Sequence, residues 1–165
     1  MDLQIIKHND ILFRDLLRGI AIKNIAWPHP IESQVKWIID YMFPEDNHVF
    51  LTEGGIDKAY MTLSPVEGIM NGGKTVFWGV GCVCTSCKGA GYGGLLLTKI
   101  NQYLMEKGAR GLLFCKRHLI PFYEKYNWIV LPQDKVSIPE EDSEIYTMVF
   151  NCPAIRFFEY KGRMF

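Results

Sequence analysis

The run Lys88-Gly89-Ala90-Gly91-Tyr92-Gly93-Gly94 constrains the fold more than any other stretch of the chain. Ahead of it lies an apolar, β-branched and aromatic segment that includes Val76, Phe77, Trp78, Val80 and Val83. Behind it, Leu95-Leu96-Leu97 opens a segment with helical spacing. A strand that ends in glycines and continues as a helix leaves the first helical N–H groups without intrahelical partners. The positive end of the helix dipole stands behind them. Such a place holds an anion well, a pyrophosphate in particular. The plainer alternative is a flexible strand-to-helix turn.

Gly89, Gly91 and Gly94 satisfy the dinucleotide fingerprint G-x-G-x-x-G. That fingerprint calls for an acidic residue about 20 positions later, at the end of the next strand. Here that strand ends in Cys115-Lys116-Arg117, which is basic. The strands upstream also read as hairpins, which does not suit a doubly wound parallel sheet.

Periodicity supplies the remaining elements. Residues 3–7 read as a strand. Asp10 is the expected N-cap of a helix carrying Leu12, Leu16, Leu17 and Ile20, which Trp27-Pro28-His29-Pro30 breaks. A second helix is expected to bury Val35, Ile38, Ile39 and Met42. Residues 48–53 and 58–64 form a hairpin across Gly54-Gly55, the second strand ending at Pro65. After a turn at Asn71-Gly72-Gly73, residues 75–85 form a longer strand. The helix after the glycines runs to about Lys107, with Gly108 or Gly111 as its exit. Residues 111–115 form a strand, and 122–126 a helix opened by Pro121. Residues 128–131 and 144–151 close the sheet. The order β-αα-βββ-α-β-α-ββ is a mixed α/β sheet, mostly antiparallel, with one βαβ crossover at the glycines.

A chain of 165 residues, 48% hydrophobic, has enough apolar material for one domain covering 1–165. Lys plus Arg balances Asp plus Glu, 18 against 18. With no cationic surplus, nucleic acid is not an expected partner. No apolar run reaches the ~20 residues of a membrane span. The N-terminus does not read as a signal peptide, and the five cysteines are odd in number. Both point to the cytoplasm.

Two motifs, in order and at the right separation, carry a family resemblance. Lys88-Gly89-Ala90-Gly91-Tyr92-Gly93 resembles the Q/R-x-x-G-x-G/A motif of the GCN5-related N-acetyltransferases, with Lys in place of Gln or Arg. Pro121-Phe122-Tyr123-Glu124-Lys125-Tyr126-Asn127-Trp128 resembles that family's F-Y-E-K-x-G-F segment, Asn127-Trp128 replacing Gly-Phe. Lys116 stands where the family often has Asn, and Leu119 where it has a small residue. The resemblance implies a central, mostly antiparallel sheet with helices on both faces, and acetyl-CoA as co-substrate. Gly89, Ala90, Gly91, Tyr92, Gly93 and Gly94 then hold the CoA pyrophosphate, Lys88 adds charge, and Cys82, Val83 and Cys84 line the pantetheine through their backbone. The acceptor is a primary amine of a small molecule, which attacks the thioester directly. The reading from another class is a CoA-binding sensor or interaction module without turnover.

By the same resemblance Tyr123 is the acid toward the leaving sulfur. A phenol near pKa ~10 giving its proton to a thiolate near ~8.5 is uphill by about 2 kcal/mol. The need for a base depends on the acceptor. Deprotonating an amine of pKa ~8 at pH 7 costs about 1.4 kcal/mol, against about 4.6 for a lysine-like amine. The residues 76–81 hold no carboxylate. The candidates elsewhere are Glu53, His48, His29 and His118, with Glu53 preferred because it ends a strand.

Cys82, Cys84, Cys87, Cys115 and His118 offer zinc-type donors. Their spacing lacks the usual knuckle, and the reading is buried thiols with no metal. Trp27 to Pro30 is a candidate acceptor loop. The aromatic tail 155–165 packs across the sheet, or against a second copy in a homodimer. With the helix after the glycines it is faintly similar to aminoglycoside 2'-N-acetyltransferases. Residues 134–143 read as an acidic, solvated loop.

Overall fold

The computed structural model describes residues 1–139 and 144–165. The elements are β1 (Asp2–Lys7), α1 (Phe13–Ala26), α2 (Ile31–Tyr41), β2 (Asn47–Glu53), β3 (Ile56–Met70), β4 (Gly73–Thr85), α3 (Tyr92–Glu106), β5 (Gly111–Lys116), α4 (Ile120–Glu124), β6 (Ile129–Val130), β7 (Val136–Ser137), β8 (Ile145–Phe150) and β9 (Phe158–Glu159). The hydrogen-bonded strand order is β1-β2-β3-β4-β5-β8-β6, with β9 joining β3 and β7. The β1–β2, β2–β3, β3–β9, β5–β8 and β6–β8 pairs are antiparallel, and the β4–β5 pair, which α3 connects, and the short β7–β9 pair are parallel. This is the mixed sheet with one βαβ crossover that the element order implies.

The chain forms two compact units, and β3, β4 and α3 each run through both. The first comprises Met1–Ser64 and Gly81–Lys99. Here β1 pairs β2 from Asp2↔Thr52 to Lys7↔Asn47, and β2 pairs β3 from Asn47↔Leu63 to Glu53↔Ile56. On α1, Ile20 meets Ile38 and Met42 of the α2 segment, while Ile22 meets Phe50, Tyr60 and Cys84. Burial of each such side chain contributes roughly 1.5–3 kcal/mol. Gly19 is where α1 approaches the sheet most closely, since a Cβ there would stand 3.0 Å from the Tyr60 ring. Arg18 fastens the helix from outside, its guanidinium forking onto Asp57 at 2.6 and 2.9 Å and reaching Asp15 at 2.7 Å.

The second unit comprises Pro65–Val80 and Ile100–Phe165. β5 pairs β8 from Gly111↔Phe150 to Lys116↔Ile145, and β4 meets β5 in parallel at Trp78↔Gly111 and Gly79↔Leu112. Val66, Phe77, Leu112, Leu131, Val149, Phe158 and Tyr160 form its core. The tail is part of that core. Phe158 is 0% and Tyr160 1% exposed, and Phe158 stands edge-on to Phe77 at 5.5 Å.

Several expectations need correction. Asp10 caps no helix; it ends a short 3-10 turn, and α1 starts at Phe13 after Leu12, with no side-chain cap. Ile39 is 73% exposed, and Gln34 takes a buried place on α2, donating to the Trp27 carbonyl at 3.1 Å. β3 continues through Pro65 to Met70. Its last pair with β2 is at Leu63, two residues before Pro65. Gly108 is the helix exit: at φ 60 its N–H reaches Met105 O, and the Ala109 N–H reaches Leu104 O. Of the acidic loop 134–143, Gln133–Lys135 is a 3-10 turn that runs into β7, and 140–143 lie outside the described residues.

Candidate functional site

The glycine segment belongs to the first unit, and β4 reaches it through a break in its own extended course. Cys82 has φ 52, a left-handed conformation that a cysteine rarely adopts inside a strand. Beyond it, Ser86 anchors the start of the loop, its N–H and hydroxyl donating to the Lys58 carbonyl at 2.9 and 3.1 Å. Gly89 (φ 79) and Gly91 (φ 78) follow in the left-handed region, and a Cβ at either would meet no atom within 4 Å. The first bond of α3 runs from Leu95 N–H to Gly91 O at 3.1 Å. The amides of Tyr92, Gly93 and Gly94 therefore precede the helical ladder. Left-handed glycines leading into unclaimed amides form a concave arrangement suited to an anion. Lys88, Gly89, Ala90 and Gly91 are exposed, and Tyr92 and Gly93 half-buried. Lys58 supplies a cation in the same unit, 5.6 Å from the Tyr92 ring centroid.

Cys84 is buried and Cys82 and Val83 half-buried. Burial pushes the Cys84 thiol up to about 12, with the neighbouring Cys82 adding to the rise. The Cys82 thiol is raised too, again by burial, against the pull of Lys23 and a hydrogen bond with Thr62. Both are protonated at neutral pH and poor nucleophiles. Among the described residues, no group of three His, Cys, Asp or Glu side chains is placed to hold a metal ion.

The candidate bases differ sharply. Glu53 closes β2 at the hairpin, its side chain 54% exposed and 3.7 Å from Lys58. It does end the strand, as the sequence implies, and there it pairs with Lys58 at the surface. His29 is exposed. In the second unit His118 is also exposed, beside an open cavity of about 800 Å³ with Lys116, Arg117, Glu144 and Tyr146. His48 is 0% exposed, and both its ring nitrogens are engaged, by His8 and by the Tyr60 hydroxyl. A central strand without a carboxylate hides this polar group from a motif search, because its members come from three different strands or turns.

Tyr123, in the second unit, lies on α4 and is 7% exposed. Burial pushes its phenol well above the usual range, and the Cys115 thiol adds to the rise. It is thus protonated at every physiological pH, a better hydrogen-bond donor than full acid. Just beyond it, Asn127 has φ 63, the conformation that glycine would supply in the F-Y-E-K-x-G-F pattern. Asn101 of α3 secures that turn: its amide donates to Tyr126 O at 2.7 Å and its oxygen accepts from Trp128 Nε1 at 3.1 Å.

No family model and no curated protein matches the sequence. Solved structures do match over nearly the whole chain. An acyl-CoA N-acyltransferase from Pseudomonas aeruginosa, 17% identical, superposes with a TM-score of 0.62 over 91% of this chain and 99% of its own. The fold is that of the GCN5-related N-acetyltransferases. An aminoglycoside 6'-N-acetyltransferase from Enterococcus faecium shares this acetyltransferase fold at 14% identity and TM-score 0.65, covering 93% and 99% of the two chains. Another aminoglycoside 6'-N-acetyltransferase, solved with coenzyme A, does so at 16% and 0.62, covering 93% and 99%. In the acetyltransferase fold of this chain the glycine loop joins β4 to α3. Among the described residues no helix is long and apolar enough to cross a membrane.

Proposed function

We propose that the protein transfers an acetyl group from acetyl-CoA to a primary amine of a small molecule, the whole chain acting as one catalytic domain. The observation that carries this reading is the pair of left-handed glycines, Gly89 and Gly91, opening onto the unclaimed amides of α3. The fold of the similar acyltransferases supports it. Lys88 and residues 89–94 hold the pyrophosphate, and the main chain of Cys82, Val83 and Cys84 lines the pantetheine. The left-handed turn at Cys82 takes the local backbone N–H and C=O out of the strand's alternation, making them available to the acyl arm.

Tyr123 donates a hydrogen bond to the leaving sulfur. Its raised phenol makes complete proton transfer to a thiolate of pKa ~8.5 harder than for a free tyrosine, so the bond stabilises the thiolate without giving the proton away. The five free cysteines suit a reducing cytoplasm. The absence of a carboxylate on β4 favours, as the second reading, a CoA-binding module without turnover.

Thiol release from acetyl-CoA with a panel of primary amines (an aminoglycoside, a polyamine, an amino-acid amide) separates the two. Amine-dependent release supports the transferase, and CoA binding with no release for any amine supports the module. Tyr123→Phe is expected to lower kcat roughly 10-fold with CoA affinity unchanged, in the range of a lost transition-state donor. An unaltered rate from pH 6 to 9 would remove Tyr123 from the mechanism.

A further inference from the structure

The α2 segment carries two rows of side chains at four-residue spacing, and the first unit buries only one of them. Gln34, Ile38 and Met42 form the inner row, at 4%, 3% and 6% exposure. Ile31, Val35 and Ile39 form the outer row, a continuous apolar ridge along the helix. Ile31 is 53% and Ile39 73% exposed, with Val35 half-buried between them. On α1, Phe13 and Leu17 are also four residues apart, and Phe13 is 69% exposed. Together the five line an open groove of about 490 Å³ between the two helices. The charged residues along it, Glu32, Lys36 and Asp40, all belong to α2. Single apolar side chains at a surface are ordinary, whereas a contiguous ridge beside a groove marks a contact face. Helical spacing calls for Ile39 to be covered, and the chain's own fold does not cover it.

The ridge itself points to the occupant. It reads the same in both directions, isoleucine–valine–isoleucine about Val35. A second α2, antiparallel and related by a two-fold axis at Val35, sets Ile31 of each copy against Ile39 of the other. Each ridge then falls into the groove beside its counterpart, the ordinary way in which helices pack. The charges fit the same axis. Glu32 and Lys36 lie on one flank of the ridge, four residues apart. With a rise of about 1.5 Å per residue, the two-fold brings Lys36 of one copy within about 3 Å, along the axis, of Glu32 of the other. Both stand on the same flank, and the pair occurs twice, as an isologous contact requires. Within the chain Lys36 bonds Asp40 at 2.6 Å, and Glu32 has no ion-pair partner among the described residues. In the pair of copies each Lys36 is thus held between two carboxylates.

We infer that the protein forms a two-fold symmetric dimer through its α1–α2 face, the ridge of each copy seated in the groove of the other. Removal of Phe13, Ile31, Val35 and Ile39 from water supplies the association. The reciprocal Lys36–Glu32 pairs, which lie at the rim, fix register and partner choice more than affinity. A small apolar ligand would make no use of these charges, and an unrelated helix has no cause to match a palindrome. The aromatic tail takes no part, since Phe158 and Tyr160 are enclosed in the core of the second unit. The dimer stands or falls independently of the reaction at the glycine loop.

Sedimentation equilibrium of the full chain, from about 1 to about 200 μM, covers the range in which a small interface dissociates. The unaltered protein is expected to show a monomer–dimer equilibrium. Ile39→Asp should raise the dissociation constant at least roughly 10-fold, because a carboxylate would be enclosed at both ends of the contact. Circular dichroism checks that the variant folds, and the exposed charge variants carry the test if it does not. Glu32→Lys and Lys36→Glu, each alone, should weaken self-association. Mixed in equal amounts, these two variants should associate more tightly than either does alone, because each supplies the charge that the other has lost. Effects within one helix cannot produce that result. A chain that stays monomeric throughout overturns the dimer. If a hydrophobic dye then binds the monomer and Ile39→Asp releases it, the face belongs to a different occupant. A dimer indifferent to Ile39→Asp, or mixed charge variants no tighter than either alone, also overturns the inference.

Discussion

Gly91 and Cys82 show how a single torsion decides chemistry. Both lie in the left-handed region, but only glycine does so without steric cost. At Gly91 the space beside the backbone is open, so a side chain would clash with nothing in the protein. It would instead force a strained φ, worth of order 1–3 kcal/mol, or turn the following amides away from their common target. Gly91→Val is accordingly expected to fold, by circular dichroism, and to lose at least roughly 10-fold in CoA affinity by calorimetry; one such factor is about 1.4 kcal/mol. Normal titration by the folded variant would empty the phosphate assignment of content. The Cys82 turn has no such glycine, and the rest of the first unit must hold it: Thr62 bonds the side chain, and Phe50 and Tyr60 pack beside it.

Among the elements, the α4–β6 connection is the clearest case of local sequence and tertiary packing agreeing. Asn127 replaces the glycine of the family pattern because asparagine tolerates φ 63, and Trp128 replaces its phenylalanine because Asn101 on α3 satisfies the indole N–H. The turn is also closed by the Trp128 and Tyr126 amides, both donating to the Tyr123 carbonyl. Asn127→Val, β-branched at positive φ, should cost about 1–3 kcal/mol in urea unfolding, whereas Asn127→Gly should change stability by less than about 1 kcal/mol. Equal losses from both would mean that the asparagine side chain, and not its backbone angle, matters. The same connection carries Tyr123, so Asn127→Val should also depress kcat. β3 makes the complementary point: Pro65 reads as a strand end, yet the strand continues through it to Met70, beyond the last β2 pair at Leu63.

For the whole molecule, Lys plus Arg balances Asp plus Glu, 18 against 18. Buried His48 makes stability depend on pH. His48 titrates near 4 when folded and near ~6.5 when unfolded, so between those values the unfolded chain binds a proton that the folded one refuses. Its contribution is complete above ~6.5 and is lost as pH falls toward 4. That amounts to roughly 2–3 kcal/mol by pH 4.5, with His8 acting in the same direction. Urea midpoints measured from pH 7 to 4.5 should fall more steeply for the unaltered protein than for His48→Gln. Parallel curves would show that His48 takes up its proton without cost in the fold.

The amino-acid sequence by itself determined the element order apart from the short strands β7 and β9, together with the glycine loop and the α4 motif, because each is a short-range matter of periodicity, turn chemistry or backbone freedom. Gly89, Gly91 and Tyr123 were readable for that reason. Only the tertiary structure decided that Glu53 sits at the surface beside Lys58, that Ile39 is exposed, and that the tail enters its own core. It alone joined His8, His48 and Tyr60, residues 40 and 12 positions apart, into one hydrogen-bonded file. Burial and strand register are set by long-range packing, and a linear pattern carries no record of which neighbours will remove a side chain from water.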